Sequence, residues 1–148
     1  MRPPVQYRLF DDEDLHEVLR LANDALDEDY DGGLFLHFAR LHPEAFHVAE
    51  AGDEILGFVM GTVQRAYQAR ILALAVADGW RRQGVGTRLT QRFLTAFRQH
   101  GVKRVTLEVR VSNDGAKELY RSMGFETDDV IEEYYNDGED AYVMVRTL

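Results

Sequence analysis

The chain has 148 residues, 45% of them hydrophobic, and a formal net charge of −9. That length suits one domain with one core, and the acidic balance lacks the basic footprint of a nucleic-acid binder. Cysteine is absent, which excludes disulfides, thiolate nucleophiles and cysteine-based zinc sites.

No apolar run approaches the ~20 residues that span a bilayer. The opening MRPPVQYRLFDDED holds no signal-peptide core, so a cytoplasmic protein without a membrane association is expected. Only Lys103 and Lys117 are lysines, against fifteen arginines. An acidic, lysine-poor surface suits strong salt, or is simply that of an acidic cytosolic protein.

Val5–Phe10 reads as a short strand. Asp11–Asp14 places acids where a helix begins, favouring its positive end. Leu15, Val18, Leu19, Ala22 and Leu26 follow at helical spacing. Asp27–Gly33 breaks that pattern, and Leu34–Leu41 predicts a second short helix. Ala45–Ala51 and Glu54–Gln64 flank a Gly-Asp turn and predict a hairpin. Ala69–Ala77 is a short apolar strand. From Gly84, Val85, Leu89, Phe93 and Phe97 recur every four residues, and the helix should stop near His100-Gly101. Arg104–Val111 alternates as a strand. Ser112 or Asn113 can cap a helix that turns Ala116, Leu119 and Met123 inward and ends at Gly124. Phe125–Tyr135 and Ala141–Arg146 are strand-like and flank Asn136-Asp137-Gly138, a hairpin turn signal. The order is β-α-α-β-β-β-α-β-α-β-β: one α+β domain over residues 1–148, with a mixed sheet and helices on its faces.

The stretch AVADGWRRQGVGTRL, Ala75–Leu89, sets two glycines between a strand and a helix. Unpaired N–H groups and the dipole at a helix start make an anion site, and glycine lets a phosphate approach the backbone. A plain strand-to-helix turn fits equally. No Gly-x-x-x-x-Gly-Lys-Ser/Thr stretch exists. Leu89 stands where the dinucleotide fingerprint needs its third glycine. A third pattern, Gln/Arg-x-x-Gly-x-Gly/Ala, is met by Arg81, Gly84 and Gly86.

With LEVRVSNDGAKELYRSMGF, Leu107–Phe125, this stretch resembles the GNAT superfamily of acetyl-CoA-dependent N-acetyltransferases. LDEDY (Leu26–Tyr30) and EEYYNDGEDAYVM (Glu132–Met144) are most similar to the branch holding RimI and the protein N-terminal acetyltransferase catalytic subunits. The resemblance implies a GNAT-type fold, mostly antiparallel, with helices on both faces. It implies that the acetyl-CoA pyrophosphate lies on Arg82, Gln83, Gly84, Val85, Gly86 and Thr87, with Arg81 adding charge. It also implies that the pantetheine arm pairs with Leu74, Ala75 and Val76, and that Asn113 reaches the cofactor. Asp78 stands where many relatives have proline, which leaves that loop less stiff. The implied catalytic set is Tyr120 beside the thioester sulfur and a carboxylate base, Glu108 or Glu28. Tyr30, Tyr134 and Tyr135 are implied acceptor contacts. Adjacent strand residues face opposite sides, so one of Tyr134 and Tyr135 could instead be packing, and Tyr135 is the favoured contact.

The chemistry needs little more. A peptide α-amine has a pKa of ~8 against ~10.4 for lysine, so about a tenth is neutral at pH 7. A carboxylate can take its proton, and a phenol can hydrogen-bond or protonate the departing thiolate. No metal is required, and His16, His37, His42, His47 and His100 form no ligand-spaced cluster. Eight of the fifteen residues from Glu126 to Asp140 are acidic. They are a field for a cationic amine or ordinary surface charge. The expected reaction is acetyl transfer from acetyl-CoA to a protein N-terminus, by a monomer or homodimer. The alternatives are a small-molecule amine, a lysine side chain, or a non-catalytic acyl-CoA sensor.

Overall fold

The computed structural model describes residues 2–26, 30–65 and 67–148. Strand β1 is Gln6–Leu9. Asp11 then starts a helical turn: its carboxylate accepts from the Glu13 N–H, while Asp14 accepts from the Asp11 N–H. This reciprocal cap satisfies two otherwise orphaned donors. Helix α1, Leu15–Ala25, follows and buries Val18 and Ala22. Helix α2 is Gly32–Leu41. It starts two residues before its apolar spacing does, because Asp31 accepts from the Gly33 N–H at 2.9 Å and acts as N-cap.

Strands β2 (Phe46–Ala51), β3 (Glu54–Arg65) and β4 (Gln68–Val76) form an antiparallel meander. Helix α3, Val85–Gln99, crosses back to β5, Arg104–Arg110, which runs parallel to β4. Helix α4 is Asp114–Ser122, capped by Asn113. Strand β6 is Glu126–Ile131 and β7 is Ala141–Thr147. The seven strands form one sheet in the order β1-β2-β3-β4-β5-β7-β6. The expected succession of elements and the mixed, mostly antiparallel sheet are both present. One expected boundary is wrong. The strand that should have reached Tyr135 ends at Ile131, and residues 132–140 are a loop. Asp140 accepts from the Glu133 N–H and Asp137 from the Glu139 N–H. These side chains take backbone donors that a ladder would otherwise use.

Each face of the sheet carries its own core. Val85, Leu89, Phe93 and Phe97 of α3 are buried together with Tyr120 and Met123 on one face. Val18 and Ala22 of α1 and Phe35 of α2 are buried on the other. A bulge in β4 connects the two. Met60 pairs with Ala73 but Gly61 pairs with Ile71, so Leu72 is an extra residue. One inserted residue reverses which side chains face which layer. Ala69 and Ile71 therefore join the α3 core, while Ala73 and Ala75 join the α1 and α2 core.

The feature that positions the site is a fork. Strands β4 and β5 pair only at Gln68↔Arg104, Ala69↔Val105 and Arg70↔Thr106. Beyond that, β4 continues against β3 as far as Val76, and β5 continues against β7 as far as Arg110. The sheet splits between its fourth and fifth strands.

Gly61 keeps α3 close to the sheet. A methyl group there would collide with the Phe93 ring and the Arg70 carbonyl. Gly61→Ala should therefore destabilise the fold by about 1–3 kcal/mol, the usual cost of overpacking a filled core. A denaturant melt checks this.

Candidate active site

Two cavities open from the fork. The first, of about 240 Å³, is bounded by Tyr30, Arg70, Glu108, Tyr120, Tyr134 and Tyr135. The second is a groove of about 920 Å³ that runs along Leu74, Ala75 and Val76 to Trp80, Arg82 and the start of α3. That volume is near the upper end of the ~300–1,000 Å³ of small-molecule sites. Tyr120 and Asn113 line both cavities, so the two meet at the base of the fork.

The far end of the groove is built for an anion. Gly84 is the N-cap of α3, at φ +83°, and supplies no side-chain cap. The first intrahelical bond recorded from this turn is Arg88 N–H to Gly84 C=O at 3.0 Å. The N–H groups of Val85, Gly86 and Thr87 precede it and have no intrahelical acceptor. Open space surrounds the position of a Gly84 Cβ, with nothing within 4 Å. Arg82 and Arg81 both line the groove. Arg81 is also tied to the loop, donating to the Val76 carbonyl at 3.1 Å and pairing with Asp78 at 3.0 Å. The Gln83 side chain turns elsewhere. Its amide donates to the Gly79 carbonyl and its oxygen accepts from Arg2.

Tyr120 is 6% exposed. Burial, then repulsion from Tyr135, pushes its phenol well above the ordinary range, which favours the protonated form. The Phe125 ring meets it edge-on at 5.5 Å. Asn113 accepts from the Ala116 N–H at 3.1 Å, which commits its oxygen to capping and leaves its amide NH₂ at the groove. Glu108 is 16% exposed on β5 and accepts from Arg70 Nε at 2.9 Å.

The loop after β6 brings both Tyr134 and Tyr135 to the smaller cavity. Strand alternation does not apply to them, because neither lies on a strand. Their rings meet edge-on at 5.0 Å. Arg110 holds this loop. It pairs with Asp137 at 2.8 Å and Glu139 at 3.0 Å, and its guanidinium stacks 4.0 Å from the Tyr135 ring. Hydrogen bonds from Ser112 and Arg110 hold Glu139 below the usual carboxylate range. Tyr30 meets Phe35 edge-on at 5.4 Å and bounds the same cavity. Glu28, the second expected base, lies outside the described residues.

The sequence reading missed Arg70, Arg110 and Trp80. Arg70 left one signal, a lone charge inside the apolar run ARILALAV. Arg110 left none, since its partners lie 27 and 29 residues away. Among the described residues, no group of three or more His, Asp or Glu is arranged to hold a metal.

A family model described as Acetyltransferase (GNAT) family matches residues 12–125, and the chain belongs to that family. An N-alpha-acetyltransferase of Sulfurisphaera tokodaii is 33% identical to it over 147 residues, covering 91% of this chain and 88% of the relative. The crystal structure of Ard1 from Thermoplasma volcanium superposes with a TM-score of 0.94 at 36% identity, covering 97% of each chain. Chaetomium thermophilum Naa20, solved in complex with a bisubstrate analogue, superposes with a TM-score of 0.89 at 31% identity, covering 97% of this chain and 86% of its own.

Arg110→Gln should free residues 132–140 while leaving α3 intact. Amide exchange in that loop should rise severalfold, up to roughly tenfold. The same loosening should appear in the unchanged protein as pH falls below the ordinary glutamate range and through the lowered pKa of Glu139. Its carboxylate then loses the charge that holds Arg110.

Proposed function

We propose that this protein is an acetyl-CoA-dependent N-alpha-acetyltransferase that acts on the free N-terminus of a protein or peptide. The observation that carries the reading is the meeting of two unlike cavities at Tyr120. One ends on bare helix N–H groups, as a pyrophosphate needs. The other is walled by a carboxylate and, besides Tyr120, three further tyrosines, as a peptide amine needs. The 33% identity to an archaeal N-alpha-acetyltransferase supports the same conclusion.

In this reading, Arg82–Thr87 holds the pyrophosphate, and the free β4 edge at Leu74–Val76 takes the pantetheine arm as an added strand. The thioester supplies an activated acetyl group. Glu108 accepts the proton that the amine loses, directly or through water, with Glu28 its candidate partner. Tyr120 hydrogen-bonds the departing sulfur and can return a proton to it. Tyr30, Tyr134 and Tyr135 hold the acceptor backbone. The α-amine, with a pKa of ~8, needs far less help than a lysine at ~10.4. One carboxylate and one phenol therefore suffice. The chain works as a single domain in the cytoplasm. Among the described residues, no helix is long and apolar enough to cross a membrane.

Peptides with free N-termini should release CoA, and pre-acetylated ones should not. Release with lysine side chains or small amines alone would replace this reading with another acceptor. Glu108→Gln and Tyr120→Phe should each cut kcat by roughly 10²–10⁴ and leave CoA affinity within about twofold. Gly84→Glu should abolish CoA binding in calorimetry, since the new carboxylate would stand where the phosphates lie. The rate should rise with pH as the amine deprotonates. It should not fall again by ionisation of Tyr120 below about pH 10, because that phenol's pKa is raised.

A further inference from the structure

Arg70 stands at the vertex of the fork. Arg70↔Thr106 is the last pair between β4 and β5, and its side chain is 25% exposed. Its Nε donates to Glu108 Oε2 at 2.9 Å and its Nη2 donates to the Tyr134 hydroxyl at 2.9 Å. One rigid, planar group thus joins the candidate base on β5 to a candidate acceptor contact in the loop after β6. We propose that Arg70 is a positioning residue for acetyl transfer, fixing the free carboxylate oxygen of Glu108 and the direction in which Tyr134 donates. This rests on the acetyltransferase reading of the site.

A guanidinium only donates, in a fixed fork. Oε2 of Glu108 accepts from Arg70, which lowers its basicity and makes Oε1 the better proton acceptor. Tyr134 accepts from Arg70, so its own O–H must point elsewhere, and a carbonyl of the bound acceptor is the acceptor that the chemistry offers. Without Arg70 the carboxylate rotates freely, and the Tyr134 hydroxyl can turn its proton toward Glu108 instead. That would spend both groups on each other. Lysine keeps the charge but, as a point charge on a flexible stem, does not impose the planar fork. A mere staple between β4 and β5 would act on stability alone, and this separates the two roles.

The test compares Arg70→Gln and Arg70→Lys with the wild type on whichever amine the wild type acetylates. Each variant is crossed with Tyr134→Phe and with Glu108→Gln. Arg70→Gln should lower kcat/KM roughly tenfold to a hundredfold, the worth of charge-assisted hydrogen bonds. Arg70→Lys should restore part of it. CoA affinity should stay within about twofold. Tyr134→Phe should raise the acceptor KM in the wild type but hardly at all in Arg70→Gln. Glu108→Gln should likewise cost less kcat in that background. Additive effects in both cycles would overturn the proposal, as would a loss explained by a matching fall in Tm. A wild type active only on small amines would overturn the peptide reading alone. A wild type that acetylates no amine would overturn both.

Discussion

The parting of β4 from β5 is the constraint on which the rest depends. Two neighbouring strands hydrogen-bond for three residues and then turn to other partners. Each parted edge carries backbone groups with no strand opposite, which a sheet ordinarily avoids. A ligand that pairs like a strand would satisfy them. The split also creates depth. A continuous sheet would bury Glu108 and Tyr120 behind its own face, whereas the fork opens a passage to both.

Several local features keep that gap from closing. The bulge at Leu72 turns β4 over halfway along its length, so its early residues serve one core and its later residues the other. Both layers therefore grip the same strand. Helix α3 is held against β3 by the absence of a side chain at Gly61, which sets where the start of α3 meets the groove. Helix α4 delivers Tyr120 and Asn113 to the base of the fork. Arg70 spans its vertex and Arg110 fastens the loop above it. The site is thus lined by β4, β5 and α4, by Tyr30 ahead of α2 and by the loop that Arg110 clamps.

In the proposed reading the two arms, one for the phosphates and one for the acceptor, divide the work by their chemistry. The phosphate arm relies on backbone donors and needs little from side chains, so Gln83 can turn to Gly79 and Arg2 without leaving the arm incomplete. The acceptor arm is all side chain. Its tyrosines are drawn from α2's approach and from the loop after β6, and its charges are paired rather than free. Burial raises the pKa of the Tyr120 phenol, which suits the donor role proposed for it and unsuits it as a base.

What could be read without coordinates was whatever repeats with short period or depends on near neighbours. The spacing Val85, Leu89, Phe93, Phe97 marked α3, a cap at Ser112 or Asn113 marked α4, and the glycines at 84 and 86 marked a backbone that could receive an anion. These are local facts of sterics and hydrogen bonding. The extent of β6 was misjudged because Asp137 and Asp140 take backbone donors across the loop, a contest that strand propensity does not register. The flip at Leu72, the three-residue limit to β4–β5 pairing, and the contacts of Arg70 with Glu108 and Tyr134 could come only from the tertiary structure. Their partners lie 38 and 64 residues from Arg70, and nothing in a linear pattern links groups so far apart until the sheet has set its register.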